Sequence, residues 1–199
     1  MISRRLFAVM GSFGFALAAV AQTDTWQFDP AHSAAQFSVR HMGISTVRGG
    51  FTKLSGSARY DPNDPSKTSI DVTIDAASVD SRVERRDDDL RSDHFLDVKK
   101  YPTITFRSKH TEKAGPDKLK ATGDLTIHGV TKEVTLDIAG PTKPVKDPRG
   151  KVHMGASATT TINRTDFGIT GYQGMVGNDL AITIDAELVR QEAPTTSTR

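Results

Sequence analysis

The residues best suited to chemistry lie near the start of the chain, where Asp29, His32 and Ser33 place an acid, an imidazole and a hydroxyl within five residues. Hydrolysis by a serine nucleophile needs these groups to converge beside hydrogen-bond donors for the oxyanion. Here they share one turn before a predicted strand, and turn hydrogen bonds account for all three. There is no GxSxG, P-loop or GxGxxG motif. We therefore expect no enzyme, and the alternative is a hydrolase acting on a lipid or small ester through His32 or His94.

The six histidines give little support to a metal site, because none has the HxH or HxxxH spacing with which two imidazoles bind one ion. The chain contains no cysteine, which excludes a thiol nucleophile, a thiolate-bound metal and disulfides. We expect neither a metal nor another cofactor. His128, beside a predicted hairpin turn, is expected to point to solvent.

Residues 1–21 have the features of a cleavable signal peptide: an arginine pair, an apolar run over 6–20 and a small-x-small site ending at Ala21. The run is too short to span a membrane. Since Arg4 and Arg5 also fit a twin-arginine signal, the export route stays open between that and the general secretory route. We expect a periplasmic protein with one domain over 22–190 and a polar, disordered tail over 191–199.

The charge of the mature chain is balanced. The precursor has 26 Lys and Arg against 24 Asp and Glu, and two of the arginines lie in the signal peptide. Nucleic acid needs a basic face on its partner, so we exclude it. The sequence leaves a homodimer and a transient contact with a membrane open.

Alternation of apolar and polar residues dominates the rest of the chain. Over 119–138, apolar or small residues recur at every second position on both sides of a turn at Gly129. This pattern predicts an antiparallel hairpin with one buried and one solvated face. About eight such strands occur, several of them roughly ten residues long, which favours a closed up-and-down barrel over a sandwich. Their polar faces are the reverse of what a membrane-spanning barrel requires.

One segment, 81–97, breaks the alternation. It is rich in charge and places Val83 and Leu90 at helical spacing, so it predicts a short helix or loop excursion that tucks Phe95 and Leu96 under a neighbour. The fold class is therefore all-β with a single helical interruption.

Small residues occur in the middle of several buried faces. They could leave an internal cavity, which costs stability unless a ligand fills it. Alternatively, they permit the strands to coil and bend. The pattern favours the cavity. These residues are Gly56, Ala58, Ala76, Ala121, Gly123, Ala156, Ala158 and Ala186.

Seven motifs, spread over nearly all of the mature chain, resemble those of the YceI family. They are FDPAHS (28–33), FSVRHMG (37–43), GGF (49–51), RDDDLRSDHF (86–95), YPTITF (101–106), GDLTIHGVTK (123–132) and NRTDFGI (163–169). The resemblance implies an extended, lipocalin-like eight-stranded antiparallel barrel in the periplasm. It also implies an interior that binds a polyisoprenoid or related amphiphilic lipid, with no established catalysis.

The resemblance does not identify the ligand contacts, so we infer them from alternation. Burying a lipid chain contributes about 0.8 kcal/mol per methylene group. A polar head group near the mouth is expected to meet Arg86, His32 or Arg164. The expected lining of the barrel interior is Phe37, Val39, Leu54, Ile70, Val72, Ile104, Phe106, Leu125, Ile127, Leu136, Met154, Ile182 and Ile184.

Overall fold

The computed structural model describes residues 24–192. The predicted signal peptide lies outside these residues, as does the predicted tail beyond residue 192. No helix in the described part is long and apolar enough to cross a membrane. The elements are β1 (Asp24–Phe28), β2 (Ala34–His41), β3 (Ser45–Phe51), β4 (Leu54–Tyr60), β5 (Ser69–Asp75), β6 (Val79–Asp80), α1 (Glu84–Arg91), β7 (Thr103–Gly115), β8 (Lys118–Ile127), β9 (Val130–Ala139), β10 (Val145–Lys146), β11 (Val152–Asn163) and β12 (Val176–Arg190).

The strands form one closed antiparallel barrel with eight members, three of which are interrupted. β1 and β2 both pair with β12 and act as one member. β3 with β4 is the second member, and β5 with β6 is the third. β7, β8, β9, β11 and β12 follow in chain order, and β10 is a short addition to β11. The predicted eight-stranded up-and-down barrel is confirmed.

The β8–β9 hairpin follows the predicted alternation. Its two strands pair in register over ten residues, and only His128 and Gly129 lie between them. Both turn residues have positive φ angles, 52° and 74°, as in the two-residue turns whose twist matches that of β-strands. The expectation that His128 points to solvent is wrong. Its ring is half-buried and packs edge-on against Tyr101, with 4.6 Å between the ring centroids.

The lower half of the barrel, where β1 pairs with β4 and with the end of β12, has a packed interior. Two clusters of buried side chains fill it. One consists of Trp26, Ala58, Met154 and Leu188, and the other of Phe106, Leu119, Ala121, Leu136 and Ile138. The upper half, where β2 pairs with β3 and with the start of β12, is built differently and contains the candidate site.

Two glycines of the barrel wall serve close approach of the strands. A Cβ atom on Gly56 would collide with the backbone of Asp71, and one on Gly123 would collide with the backbone of Arg107. Ala121 lies within a packed cluster. For these residues the coiling explanation applies, and the expectation that they enlarge a cavity is wrong.

The charged segment near 81–97 contains α1, so the predicted helical excursion is confirmed. The buried carboxylate of Asp87 accepts hydrogen bonds from the N–H and the hydroxyl of Ser81, which fixes the first turn. At the other end of the helix, Arg91 donates to the carbonyls of Ala77 and Val79 over 2.9 and 2.8 Å. These bonds fasten α1 to β6, so that the helix lies over the upper end of the barrel.

Candidate ligand-binding cavity

A cavity of about 490 Å³ occupies the upper half of the barrel. β2, β3 and the start of β12 form one side, the ends of β7, β8 and β11 lie opposite, and α1 and the chain over 164–176 cover the top. The volume of this cavity and the apolar character of its lining are typical of small-molecule binding sites. The lining residues are Phe37, Val39, His41, Ser45, Val47, Phe51, Val79, Arg86, Asp89, Leu90, Phe95, Leu96, Ile104, Ile127, Ile162, Arg164, Phe167, Ile169, Tyr172, Met175, Val176, Leu180 and Ile182.

The exposed lining residues place the mouth of the cavity beside the β2–β3 turn and the loop over 172–175. Ser45, Tyr172 and Met175 line the cavity and are also exposed at the surface. The backbone N–H of Met42 donates to the carbonyl of Met175 over 2.6 Å, which joins the turn to the loop. Ligand entry is therefore expected beside this joined pair of segments, where the exposed lining residues lie.

The structure brings seven of the sixteen predicted ligand-binding residues to this cavity. They are Phe37, Val39, Ile104, Ile127, Ile182, Arg86 and Arg164. Eight others lie inside the barrel but away from the cavity, packed in or against the hydrophobic clusters: Leu54, Ile70, Val72, Phe106, Leu125, Leu136, Met154 and Ile184. We expected the cavity to run along the whole interior. It occupies only the upper half, because the lower half is filled by its own side chains.

Several lining residues are absent from the sequence-based set. Leu180 continues the alternation of Ile182 by one more step, so the pattern contains a signal for it. Phe167 ends a short 3-10 helix (Arg164–Phe167), and Tyr172 lies in the loop after it. Neither segment has a periodicity that would mark an inward side chain. Val47 lies in a strand whose apolar residues do not alternate clearly.

Arg164 is buried at the top of the cavity, with 2% of its surface exposed, and it holds neighbouring backbone segments together. Its guanidinium donates from Nε to Gly177 O over 2.9 Å, from Nη1 to Ile169 O over 2.9 Å and from Nη2 to Val176 O over 3.1 Å. Burial lowers the pKa of Arg164. Three of its five N–H groups hold backbone carbonyls. With so little of its surface exposed, Arg164 offers a ligand little contact.

Arg86 is the predicted head-group residue that remains available. It is half-buried on α1 and donates from Nε to Ser81 Oγ over 2.7 Å and from Nη2 to Ser81 O over 2.8 Å. Arg86 lines the cavity, and Nη1 forms no hydrogen bond within the described part of the chain.

An acid, an imidazole and a phenol meet beside the mouth. His94 Nδ1 lies 2.8 Å from Asp89 Oδ1, and the hydroxyl of Tyr172 lies 3.5 Å from both atoms. The hydrogen bond to Asp89 raises the pKa of His94. The ring of Tyr172 also stacks on Phe95, with centroids 5.8 Å apart. This group links α1 to the loop that borders the mouth.

His32 lies outside the cavity, which corrects its placement as a head-group residue. The turn that carries it projects from the barrel between β1 and β2. A hydrogen bond of 2.9 Å from His32 lowers the pKa of Asp29, and the same bond raises the pKa of His32. The hydroxyl of Ser33 is engaged instead by the backbone of Glu187, which donates to it over 3.1 Å and accepts from it over 3.3 Å. The three groups do not form a nucleophile and base.

Asp29, His32 and Glu187 place possible metal-ligand atoms within 4.8 Å of one another. Each already has a partner, because His32 pairs with Asp29, and Glu187 Oε1 lies 2.8 Å from His153 Nδ1. The cluster is satisfied as a network of ion pairs on the barrel surface.

The closed barrel with an apolar cavity near its end has a lipocalin-like fold. The YceI-like domain model matches residues 26–188, and the chain belongs to this family. A UPF0312 protein of Pectobacterium atrosepticum is 37% identical over 192 residues, covering 96% of this chain and 97% of the relative.

Several solved structures are similar to this one. A Campylobacter jejuni YceI protein is 36% identical with a TM-score of 0.67, and the match covers 77% of this chain and 90% of that one. A polyisoprenoid-binding domain of Saccharophagus degradans has a TM-score of 0.60 over 85% of this chain and 100% of that one. At 12% identity, the second likeness shows the fold alone.

Proposed function

We propose that this protein is a periplasmic carrier that holds the chain of an amphiphilic isoprenoid lipid, of the quinone or polyprenyl phosphate class, in the upper cavity. The observation that carries the proposal is the apolar cavity of about 490 Å³ with an opening at the barrel end. Its aliphatic and aromatic walls give a lipid chain the transfer free energy of leaving water, about 0.8 kcal/mol per methylene group.

The cavity volume indicates how much of the lipid is enclosed. A water molecule occupies about 30 Å³ in the liquid, so about 490 Å³ has room for roughly 16 non-hydrogen atoms of similar size. Three isoprene units match that number. A longer chain would extend through the mouth, since the lower half of the barrel is filled by its own residues.

The polar side chains of the lining are suited to a head group near the mouth. Arg86 offers a cation with one nitrogen free of the Ser81 bonds, and His41 and Ser45 add an imidazole and a hydroxyl. Asp89 adds an acid beside them, so the charges at this end partly balance. A neutral quinone head group suits this mixture better than a phosphate carrying two or more negative charges.

Two further points support the proposal. The Saccharophagus degradans domain that shares this fold is described as polyisoprenoid-binding. Residues 1–21 have the composition of an export signal, which supports a periplasmic location.

A chain-length series tests the proposal. We expect geraniol, farnesol and geranylgeraniol, measured by calorimetric titration, to show a steep gain in affinity from two to three isoprene units. The gain is at most about 4 kcal/mol, five carbons at about 0.8 kcal/mol each. Beyond three units it should become small, because further carbons lie outside the cavity.

Native mass spectrometry of protein purified from the periplasm provides the complementary test. We expect a co-purifying amphiphile that organic extraction releases and whose mass fits an isoprenoid. The proposal fails if no such lipid is present and none of the three alcohols binds.

A further inference from the structure

Large hydrophobic side chains that are exposed in residues 24–192 gather at the mouth. There are six such side chains in these residues, and five of them border this end of the barrel: Met42, Ile44, Val83, Tyr172 and Met175. We call these five the apolar rim. The sixth, Val145 on β10, is 63% exposed and lies in the connection between β9 and β11. Such a concentration around an opening marks an interaction surface rather than scattered exposure.

The apolar rim is continuous with the wall of the cavity. Tyr172 and Met175 belong to both, and Met175 is tied to Met42 through the 2.6 Å backbone hydrogen bond. Ile44, at the tip of the β2–β3 turn, is the most exposed of the five, at 79%. Val83 directly precedes α1, whose Arg86 lines the cavity. An apolar path therefore runs from the surface of the protein into its interior.

Exposed arginines accompany the apolar rim. Arg40 donates to Gly43 O over 2.6 Å and to Thr46 Oγ1 over 2.8 Å, which holds its guanidinium against the β2–β3 turn. Arg82 directly precedes Val83 and Arg85 follows Glu84, and all three of these charged residues are exposed. Apolar side chains bordered by arginines are the combination with which peripheral proteins enter the interface of an anionic bilayer.

We propose that the apolar rim docks on the surface of an anionic lipid bilayer, so that the cavity mouth faces the membrane and the lipid passes between the two without crossing water. This inference rests on the proposed function, since the ligand is a lipid that resides in a membrane. The occupant is a bilayer because the rim surrounds an opening and continues into an apolar cavity.

Vesicle co-sedimentation tests the docking. Vesicles of phosphatidylethanolamine and phosphatidylglycerol serve as the probe, with vesicles of phosphatidylcholine alone for comparison. We expect the protein to bind the anionic vesicles, and Ile44→Asp to weaken this binding by roughly tenfold or more, because a charge replaces the most exposed side chain of the rim. Val145→Asp is the matched control, because it introduces the same charge at an exposed valine away from the rim. It should bind like the wild type.

Farnesol affinity in the absence of vesicles separates docking from ligand binding. Ile44 is not part of the cavity lining, so Ile44→Asp should keep the wild-type affinity for farnesol. The rate at which Ile44→Asp takes up farnesol from vesicles should fall by the same factor as its affinity for the vesicles.

Three results would overturn the docking: no binding of the wild type to anionic vesicles, equal binding of wild type and Ile44→Asp, or an equal loss in Val145→Asp. The first would leave a protein partner as the occupant of the rim. Vesicle binding without farnesol binding would instead refute the proposed function while retaining the docking.

Discussion

Filling part of the cavity should weaken ligand binding strongly without harming the barrel. Val39 on β2 lines the cavity, and Val39→Phe adds four non-hydrogen atoms. At about 30 Å³ per atom, the added atoms occupy roughly 120 Å³, a quarter of the cavity. Four carbons of the ligand are displaced at about 0.8 kcal/mol each, so binding should lose about 3 kcal/mol, or roughly 150-fold in Kd.

The sign of the stability change distinguishes this effect from damage. Filling an empty apolar volume stabilises at about 24 cal/mol per Å³, and strain from overpacking offsets part or all of the gain. The free energy of unfolding of the ligand-free protein, measured with urea, should therefore not fall by more than about 1 kcal/mol.

Farnesol titration of both forms gives the affinity, and Val145→Phe, at the exposed site on β10, is the control. Unchanged farnesol affinity in Val39→Phe would refute the placement of the chain in this cavity. A large loss of stability would show that the space for the added ring does not exist.

Three further predictions concern the framework of the site. The bond to Asp89 raises the pKa of His94. The stabilisation of the folded protein by this pair is therefore complete below the ordinary histidine pKa of about 6.5 and disappears as the pH rises through the raised value. NMR titration should find that Asp89→Asn returns the His94 pKa toward 6.5, and an unchanged pKa would contradict the pairing. Replacing Arg164 by Met should cost about 3 kcal/mol or more in urea unfolding, because three carbonyls lose their donor, and Arg164→Lys should not restore the stability, since an ammonium cannot span all three. Gly123→Ala should lower the free energy of unfolding by about 1–3 kcal/mol, because the added Cβ meets a neighbouring backbone. In Gly155→Ala the atom nearest to the added Cβ lies 3.7 Å away, so the change should stay within about 0.5 kcal/mol. Equal effects of the two substitutions would refute the packing argument.

Alternation was sufficient to predict the barrel wall, because side chains of a strand point to opposite faces with a period of two. The same pattern carries no information about height along the barrel axis. Val39 and Met154 look alike in the sequence, yet the first lines the cavity and the second packs beside Trp26 and Leu188. The extent of the cavity therefore could not be read from the strands.

The upper end of the barrel depends on contacts that sequence spacing does not reveal. Arg164 holds the carbonyls of Ile169, Val176 and Gly177, and any residue can supply a carbonyl. Tyr172 and Phe95 meet across 77 residues of chain to form the stacked pair beside the mouth. The NRTDFGI motif marks the segment that contains Arg164. Which three carbonyls Arg164 binds becomes known only from the folded structure.

The interrupted barrel members have a consequence for how a ligand leaves. β3 and β6 pair through just two residue pairs, Gly50 with Asp80 and Phe51 with Val79, and the pairing of β12 with β2 shifts register between Val176 and Leu180. Both weak points of the hydrogen-bond ladder lie at the cavity end, while β11 and β12 pair over eleven consecutive residues. Amide exchange should therefore be fast in β3, in β6 and at the first residues of β12, and slow over the paired residues of β11 and β12. Cargo can then be released by transient separation of a few residue pairs at one end, with the remainder of the barrel acting as a rigid base that restores the wall.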